Sequence, residues 1–258
     1  MSSDDLWKTD VFINSPIIKQ LKRSTSFFKD YSDWPELEDY RKLFARASLD
    51  ITPVAQANII NSFEEQYEPR VFLKRELQTR TRNWHDFFNA MVWLTFPDTK
   101  NTLNELHYSE ASKRAAGSNR SKLENRITQF DECGAILISN NNDLLKMVEE
   151  HQWQQLFIEN KREFQNNFRC IVFGHAIFEK ALAPYLGMTC HCILVNNDLL
   201  LEQCKASDYS QLDKYLSKHW REKVPISMNK FHAFPILGIP GYWHDQSSEF
   251  YSDKNYFR

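Results

Sequence analysis

Histidine and glutamate occur one helical turn apart in the segment that follows Gly174. His175 and Glu179 are separated by four positions, and residues at that spacing lie on one face of a helix. An imidazole nitrogen and a carboxylate oxygen on one face suit a divalent metal ion, whose type these residues leave open. They suit acid–base catalysis equally, because a carboxylate fixes the tautomer of a histidine and stabilises its charged form.

Two further polar edges lie in a predicted helical hairpin. If its helices pack antiparallel across Phe96-Pro97, these edges converge on one pocket. The first helix contributes His85 and Asn89, and the second contributes Lys100, Asn104 and His107.

Carboxylates in two other places complete a candidate ligand set. Asp131 and Glu132 come just before a predicted strand that starts at Ala135, and functional groups often lie at the ends of regular elements. Together with Asp86 they supply enough oxygen ligands for a metal site, although their geometry is not given by spacing alone.

Each candidate also has a purely structural interpretation. Asp86 follows Asn83 by three residues and can complete a capping box. His107 can be a satisfied core or surface residue, the His175–Glu179 pair can be a local contact worth about a few tenths of a kcal/mol, and residues 131–134 can form a turn. The functional interpretation is favoured because these polar residues recur beside the most apolar segments.

The elements that must position these groups are mainly helical. Asn83 is a predicted helix cap, an apolar stripe follows it, and Pro97 ends the helix. A second helix starts at Asp98, its predicted cap, and others are predicted over 144–167, 175–183 and 199–221. Strands are predicted over 67–74, 135–139, 170–173 and 192–195.

Size and composition indicate one α+β domain. The chain has 258 residues, of which 42% are hydrophobic, and a formal net charge of -2, as expected of a globular protein with a large core. We predict a mostly helical single domain over residues 1–258, with a small β-sheet and an ordered irregular C-terminal segment. Residues 1–66 are predicted to form a helical N-terminal cover, and residues 67–258 the core.

The cysteines and the N-terminus predict a cytoplasmic protein. Five cysteines form no CxxC pair, which suits a reducing compartment. Cys190 and Cys192 would share one face of a strand, where buried packing is a simpler interpretation than metal binding. The first residues lack a secretory signal, and no apolar run has membrane-spanning length.

Basic residues cluster on both sides of the hairpin, which favours an anionic small molecule or a nucleic acid as partner. The net charge of -2 gives no general attraction to anionic lipid, and no membrane partner is predicted. A solvated surface balanced by acidic residues is the structural alternative. The clusters are Arg70, Lys74, Arg75, Arg80 and Arg82 before it, and Lys113, Arg114, Arg120, Lys122 and Arg126 after it.

Several long motifs resemble an uncharacterised proteobacterial family, a domain of unknown function. They are NWHDFFNAMVWLTFP, LNELH, FDECGAILIS, FGHAIFEKALAPYLGMT, LGIPGYW and FYSDKNYFR, and the resemblance extends from about Tyr67 to the C-terminus. It implies no activity. On matching positions it implies importance for His85, Asp86, Asn89, Lys100, Asn104, His107, Asp131, Glu132, Gly174, His175, Glu179 and Lys180.

The leading hypothesis is a metal-assisted hydrolase acting on a phosphate-bearing or other anionic substrate. His85, His107 and His175, with a carboxylate from Asp86, Asp131 or Glu179, would hold the ion. Lys100 or a neighbouring arginine would stabilise developing negative charge.

Two alternatives remain open. His175 oriented by Glu179 can act as a metal-free general base, or the protein can be a non-catalytic RNA- or protein-binding module with a structural histidine–carboxylate network. The sequence lacks GxGxxG and P-loop motifs, which argues against NAD- or ATP-dependent chemistry.

Overall fold

The computed structural model describes residues 6–56, 62–114, 118–222 and 231–258, and its architecture is α+β and mostly helical. Within those residues no helix is both long enough and apolar enough to span a bilayer. The helices are α1 (Val11–Asn14), α2 (Lys22–Thr25), α3 (Leu37–Arg46), α4 (Tyr67–Lys74), α5 (Trp84–Thr95), α6 (Pro97–Ala111), α7 (Lys122–Cys133), α8 (Asn142–Glu149), α9 (Lys161–Asn167), α10 (His175–Lys180), α11 (Asp198–Lys205), α12 (Ser210–Glu222) and α13 (Ser248–Tyr251).

Strands and short helical turns complete the described chain. The strands are β1 (Thr52–Val54), β2 (Glu76–Gln78), β3 (Gly134–Ser139), β4 (Phe168–Val172), β5 (Thr189–Asn196) and β6 (His232–Pro235). Turns of 3-10 helix cover Ile18–Leu21, Ser26–Phe28, Phe63–Glu65 and Ile236–Gly238, and a π-helical turn covers Gln155–Glu159.

The chain divides into two compact units, each assembled from three stretches of sequence. The first unit comprises Met1–Phe12, Leu21–Thr128 and Asp213–Met228, and the second comprises Ile13–Gln20, Gln129–Leu212 and Asn229–Arg258. The single domain over residues 1–258 stays a prediction. The cover predicted over residues 1–66 also stays a prediction, and those residues contribute to both units.

The second unit is built on a mixed four-stranded sheet with the order β4-β3-β5-β6. The central strand β3 pairs antiparallel with β4 and parallel with β5. Every residue of β3 is buried, as expected of a strand covered on both faces. At the β4 edge, the Gln20 side chain accepts from the Val172 N–H at 2.9 Å and donates to the Cys170 carbonyl at 3.1 Å.

Helix α7 passes directly into β3, and the strand–helix connection after β4 packs against this junction. The N–H groups of Phe173 and Gly174 both donate to the Gly134 carbonyl, at 3.0 and 2.8 Å. A Cβ at Gly174 would lie 2.5 Å from the Glu132 carbonyl oxygen and from the Cys133 and Gly134 nitrogens. Position 174 therefore admits only glycine without a backbone shift.

The C-terminal segment is ordered and largely irregular, which confirms the prediction. The Tyr256 hydroxyl accepts from the Leu237 N–H and donates to the Met188 carbonyl, and the Tyr251 hydroxyl donates to the Gly238 carbonyl. The phenolic groups thus satisfy backbone polar groups that no strand or helix pairs.

The first unit is organised around the aromatic face of α5. Asn83 caps this helix, with its side-chain oxygen 2.9 Å from the Asp86 nitrogen, and α5 ends before Pro97; both features confirm the prediction. Trp84 stacks on Trp7 at a centroid distance of 5.0 Å, and Phe87 meets Phe28 edge-on at 5.4 Å.

Helix α6 begins at Pro97, and a residue distant in sequence caps it. The Asp213 carboxylate, on α12, accepts from the N–H groups of Asp98 and Thr99 at 2.9 and 2.8 Å. The prediction that Asp98 caps α6 is therefore wrong. Burial raises the pKa of Asp213 to about 6, although hydrogen bonds from Thr99 and Asp98 oppose the shift.

Three element predictions are wrong for identifiable reasons. Residues 144–167 form α8, a π-helical turn and α9 instead of one helix, because His151 adopts a φ of 56° just after α8. Residues 67–74 form helix α4 instead of a strand: Pro69 lies in its first turn, where no backbone donor is needed, and Arg75 ends it in the left-handed conformation. Residues 199–221 form two helices instead of one, because Ser207 adopts a φ of 56° between α11 and α12.

Gly174→Ala is expected to lower the free energy of unfolding by about 3 kcal/mol or more. The φ of Gly174 is -62°, which alanine adopts freely, so the cost comes from the crowded backbone alone. Gly241→Ala is the matched control, because Gly241 has a φ of 90° and open space around its Cβ position; its cost should be about 1 kcal/mol. Urea unfolding measures both, and equal costs would contradict the crowding argument.

Asp213→Asn is expected to remove a pH dependence of stability. The native state holds the Asp213 proton more tightly than the unfolded state does, because its pKa is about 6 against 3.8. The wild-type free energy of unfolding should therefore fall as pH rises from 4 to 7, by up to about 3 kcal/mol from this residue.

Urea unfolding at several pH values tests this expectation. Asp30→Asn is the control, since the Asp30 side chain is exposed. A slope in Asp213→Asn equal to that of the wild type would refute the assignment.

Candidate functional site

His175 lies between two carboxylates in the second unit. It is the first residue of α10, and its side chain is 4% exposed. Its Nδ1 lies 3.7 Å from Asp131 Oδ2, and its Nε2 lies 3.6 Å from Glu132 Oε2. Asp131 and Glu132 belong to the last turn of α7, not to the loop or turn before a strand that the sequence suggested.

The separation between His175 Nε2 and Glu132 Oε2 suits two ligands of one ion. A metal bound about 2.1 Å from each atom holds them about 3.0–3.4 Å apart, and a separation above about 4.2 Å excludes a shared ion. At 3.6 Å the atoms are too far apart for a hydrogen bond, and a small side-chain rotation brings them into the coordination range. Asp131 Oδ2 faces the other ring nitrogen at 3.7 Å, which is also too long for a hydrogen bond; it would have to move closer to orient the ring as carboxylates orient metal-bound histidines.

The backbone around Gly174 positions these three side chains relative to one another. Because Gly174 packs against the Glu132 carbonyl and the Cys133 nitrogen, His175 begins its helix beside the last turn of α7. Lys180, at the end of α10, donates to Cys133 Sγ at 3.6 Å. Both ends of α10 are thus joined to the same short stretch of chain.

Glu179 lies one turn after His175 on α10 and is half-buried. The carboxylates recorded within 4.0 Å of the His175 ring belong instead to Asp131 and Glu132. The role of Glu179 as a metal ligand or catalytic partner stays a prediction.

In the first unit, Asp86 forms a clamp with Arg80. One carboxylate oxygen accepts from the Arg80 N–H and Nε at 2.7 and 2.9 Å, and the other accepts from Nη2 at 2.8 Å. These contacts fix the turn before α5 and give Asp86 a structural role. Its catalytic role stays a prediction.

Asn89, Lys100 and Asn104 form a buried polar network, as the predicted hairpin requires. Lys100 Nζ donates to Asn89 Oδ1 at 2.9 Å and lies 5.3 Å from the centre of the Trp93 ring. The Asn89 amide donates to the Tyr67 hydroxyl at 2.7 Å, and the Asn104 amide donates to Glu68 Oε2 at 2.5 Å. The sequence does not indicate the two partners on α4, because its pattern predicts a strand over residues 67–74.

The remaining histidines of the first unit differ in environment. His107 is buried on α6, and its Nδ1 has no hydrogen-bond partner among the residues that the structure describes. His85 is half-buried on α5. The prediction that His85, His107 and His175 open onto one pocket stays a prediction.

Cys190 and Cys192 have the properties of core residues. Both are fully buried on β5, and burial raises the pKa of each thiol well above its usual range. Since a metal binds the thiolate, this supports the packing interpretation of the CHC run.

Much of the basic clustering is neutralised within the chain. Six of the ten clustered residues have a carboxylate within 4.0 Å: Arg70, Arg75, Arg80, Arg82, Lys113 and Arg114. Their partners are Glu76, Asp50, Asp86, Asp33, Glu110 and Glu124. A surface of this kind attracts a phosphate backbone far less than the sequence suggested.

The comparisons identify a family and no characterised relative. Curated proteins and solved structures gave no match to the chain. A family model described as "Protein of unknown function (DUF3025)" matches residues 51–258, beginning before the motifs that suggested the resemblance. The chain therefore belongs to this family of proteins of unknown function.

Proposed function

We propose that the second unit binds a divalent metal ion through His175 and Glu132, with Asp131 orienting the imidazole, and that the protein is a metal-assisted hydrolase of a phosphate-bearing or other anionic substrate. The observation that carries this proposal is the pair of carboxylates on opposite nitrogens of one buried imidazole. Burying polar groups in this way costs stability unless they are paired or bind an ion.

The two proposed ligands are fewer than the four of a structural zinc site and the three of a catalytic zinc site, so the proposed ion would be an open one. One imidazole and one carboxylate leave coordination positions for water and substrate, whereas closed structural zinc sites use four protein ligands. A bound ion of this kind supplies an activated water and neutralises developing negative charge. Glu132, whose side chain is 38% exposed, gives the site access to solvent.

The other residues of the hypothesis remain proposed participants. Lys100 is a buried cation at the start of α6, an expensive arrangement of the kind found where anions are stabilised. The remaining candidate residues are to be replaced one at a time: His85, Asp86, Asn89, His107 and Glu179.

A metal-free general base is the second candidate, because the Asp131–His175 pair also resembles an oriented catalytic histidine. Activity that survives complete removal of metal would select it. RNA binding is disfavoured by the ion pairing of the basic clusters described above. A cytoplasmic location remains part of the proposal, supported by five free cysteines.

His175→Ala and Glu132→Gln are each expected to weaken zinc or manganese binding at least tenfold, because each removes one ligand. Asp131→Asn should weaken binding about tenfold, as loss of an orienting carboxylate does. The measurements are metal analysis of protein purified without chelator, followed by calorimetric titration with zinc, manganese and magnesium. Affinity should rise with pH, because protons compete for the ligands.

His244→Ala and Glu150→Gln serve as controls, since both residues are exposed in the second unit. Hydrolysis of phosphate mono- and diesters should be lost with a chelator and restored by metal. The proposal fails if the wild-type protein binds no stoichiometric metal, or if the ligand variants bind as tightly as the controls.

A further inference from the structure

A cysteine and a lysine lie in contact where α7 and α10 meet in the second unit. Lys180 Nζ, at the end of α10, donates to Cys133 Sγ, at the end of α7, at 3.6 Å. Within the described ranges of the chain this amine has no carboxylate within ion-pairing distance, and the thiol is its recorded partner. Neither residue belongs to the metal ligands or catalytic groups proposed above.

Cys133 is the one cysteine of the five that solvent reaches. It is half-buried, whereas the other four are buried: Cys170, Cys190, Cys192 and Cys204. Burial raises the pKa of the Cys170 thiol and of the Cys204 thiol to about 12, and thiols in such surroundings are inert. A small oxidant is therefore directed to Cys133, because susceptibility to oxidation follows exposure.

Backbone packing keeps the lysine amine close to this sulfur. Gly174, just before α10, packs against the Cys133 nitrogen, and α10 has only six residues. The short helix therefore starts beside Cys133 and ends with a side chain that reaches back to it. Two groups held together in this way react with an effective concentration far above that of free reactants.

The contact joins a sulfur that peroxide oxidises to an amine that captures the product. Attack of the Cys133 sulfur on hydrogen peroxide breaks the O–O bond and gives a sulfenic acid and water. Attack of the Lys180 amine on that sulfur then forms an S–N bond and releases the sulfenic hydroxyl as a second water, as in sulfenamide formation by a backbone nitrogen. The sulfur loses two electrons in total, and one peroxide is reduced.

We propose that Cys133 and Lys180 form a covalent cross-link when the protein meets hydrogen peroxide, which makes the contact between α7 and α10 an oxidation-sensitive modification site. The cross-link is reversible, because a free thiol attacks the sulfenamide sulfur and releases the amine, and a second thiol then releases Cys133. No metal ion takes part, so the proposal is independent of the proposed function.

Peptide mass analysis of the full chain after treatment with hydrogen peroxide tests the proposal. Free thiols are alkylated, and the chain is then digested with trypsin. We expect the peptide that contains Cys133 to be joined to an uncleaved peptide that spans Lys180, with a mass two hydrogens below their sum, and dithiothreitol to release both. A mass higher by one oxygen supports the same pairing, because sulfenic acid, amine and a second peroxide give an S–O–N bridge and two waters.

Variants separate this pairing from general oxidation. Lys180→Arg keeps the positive charge and removes the nucleophilic amine, so the cross-link should disappear and the sulfenic acid at Cys133, trapped with dimedone, should increase about tenfold. Cys133→Ala should lose both products. Lys205→Arg is the matched control, because Lys205 is also half-buried at the end of a helix but pairs with Glu202, and its yield of cross-link should equal that of the wild type.

Four results would overturn the proposal. They are an unmodified Cys133 at peroxide concentrations that oxidise free cysteine, a sulfinic acid at Cys133 without any cross-link, a disulfide between Cys133 and Cys190, and a cross-linked product that persists in Lys180→Arg. Cleavage by trypsin after Lys180 distinguishes the disulfide from the lysine cross-link.

Discussion

The close approach of Gly174 to the junction of α7 and β3 is the constraint on which the candidate site depends. Two backbone N–H groups share the Gly134 carbonyl, and the missing side chain at position 174 lets the chain lie against the Glu132 carbonyl. Helix α10 consequently begins beside the last turn of α7. The relation of one imidazole to two carboxylates is therefore fixed by backbone packing before any side-chain interaction contributes.

A second set of polar groups is buried in the first unit, and its arrangement depends on charge and on the helix dipole instead of on backbone packing. Lys100 lies in the first turn of α6, where the helix dipole disfavours a cation. The carboxylate of Asp213 takes the position that the dipole favours, and the Asn89 oxygen and the Trp93 ring lie close to the lysine amine. Burial raises the pKa of Asp213, so these interactions only partly offset the cost of removing charge from water.

The sequence predicted those helices and strands whose ends depend only on a few neighbouring residues. Asn83 and Pro97 bound α5, and the apolar run before Ser139 forms β3, because capping, proline geometry and β-branched composition act within a few residues. The α+β class followed from the same signals.

The features that the sequence did not predict depend on partners far along the chain or on a single backbone dihedral angle. Capping of α6 by Asp213 joins residues over one hundred positions apart. Tyr67 and Glu68 take their roles from hydrogen bonds with Asn89 on α5 and Asn104 on α6. Within the site, the sequence offered His175, Asp131 and Glu132 as candidates, and the structure brings these three residues together; their functional roles stay predictions. Their mutual geometry required the glycine contact, whose tightness composition does not reveal.

Gln20 has a consequence that reaches beyond the sheet it touches. Its amide imitates the hydrogen bonds of a neighbouring strand at the open side of β4, and unpaired strand edges invite association between molecules. The family match begins at residue 51, so this protection comes from sequence that precedes it. Gln20 thus occupies the backbone donor of Val172 and the backbone acceptor of Cys170, two of the groups that an added strand would need in order to pair with β4.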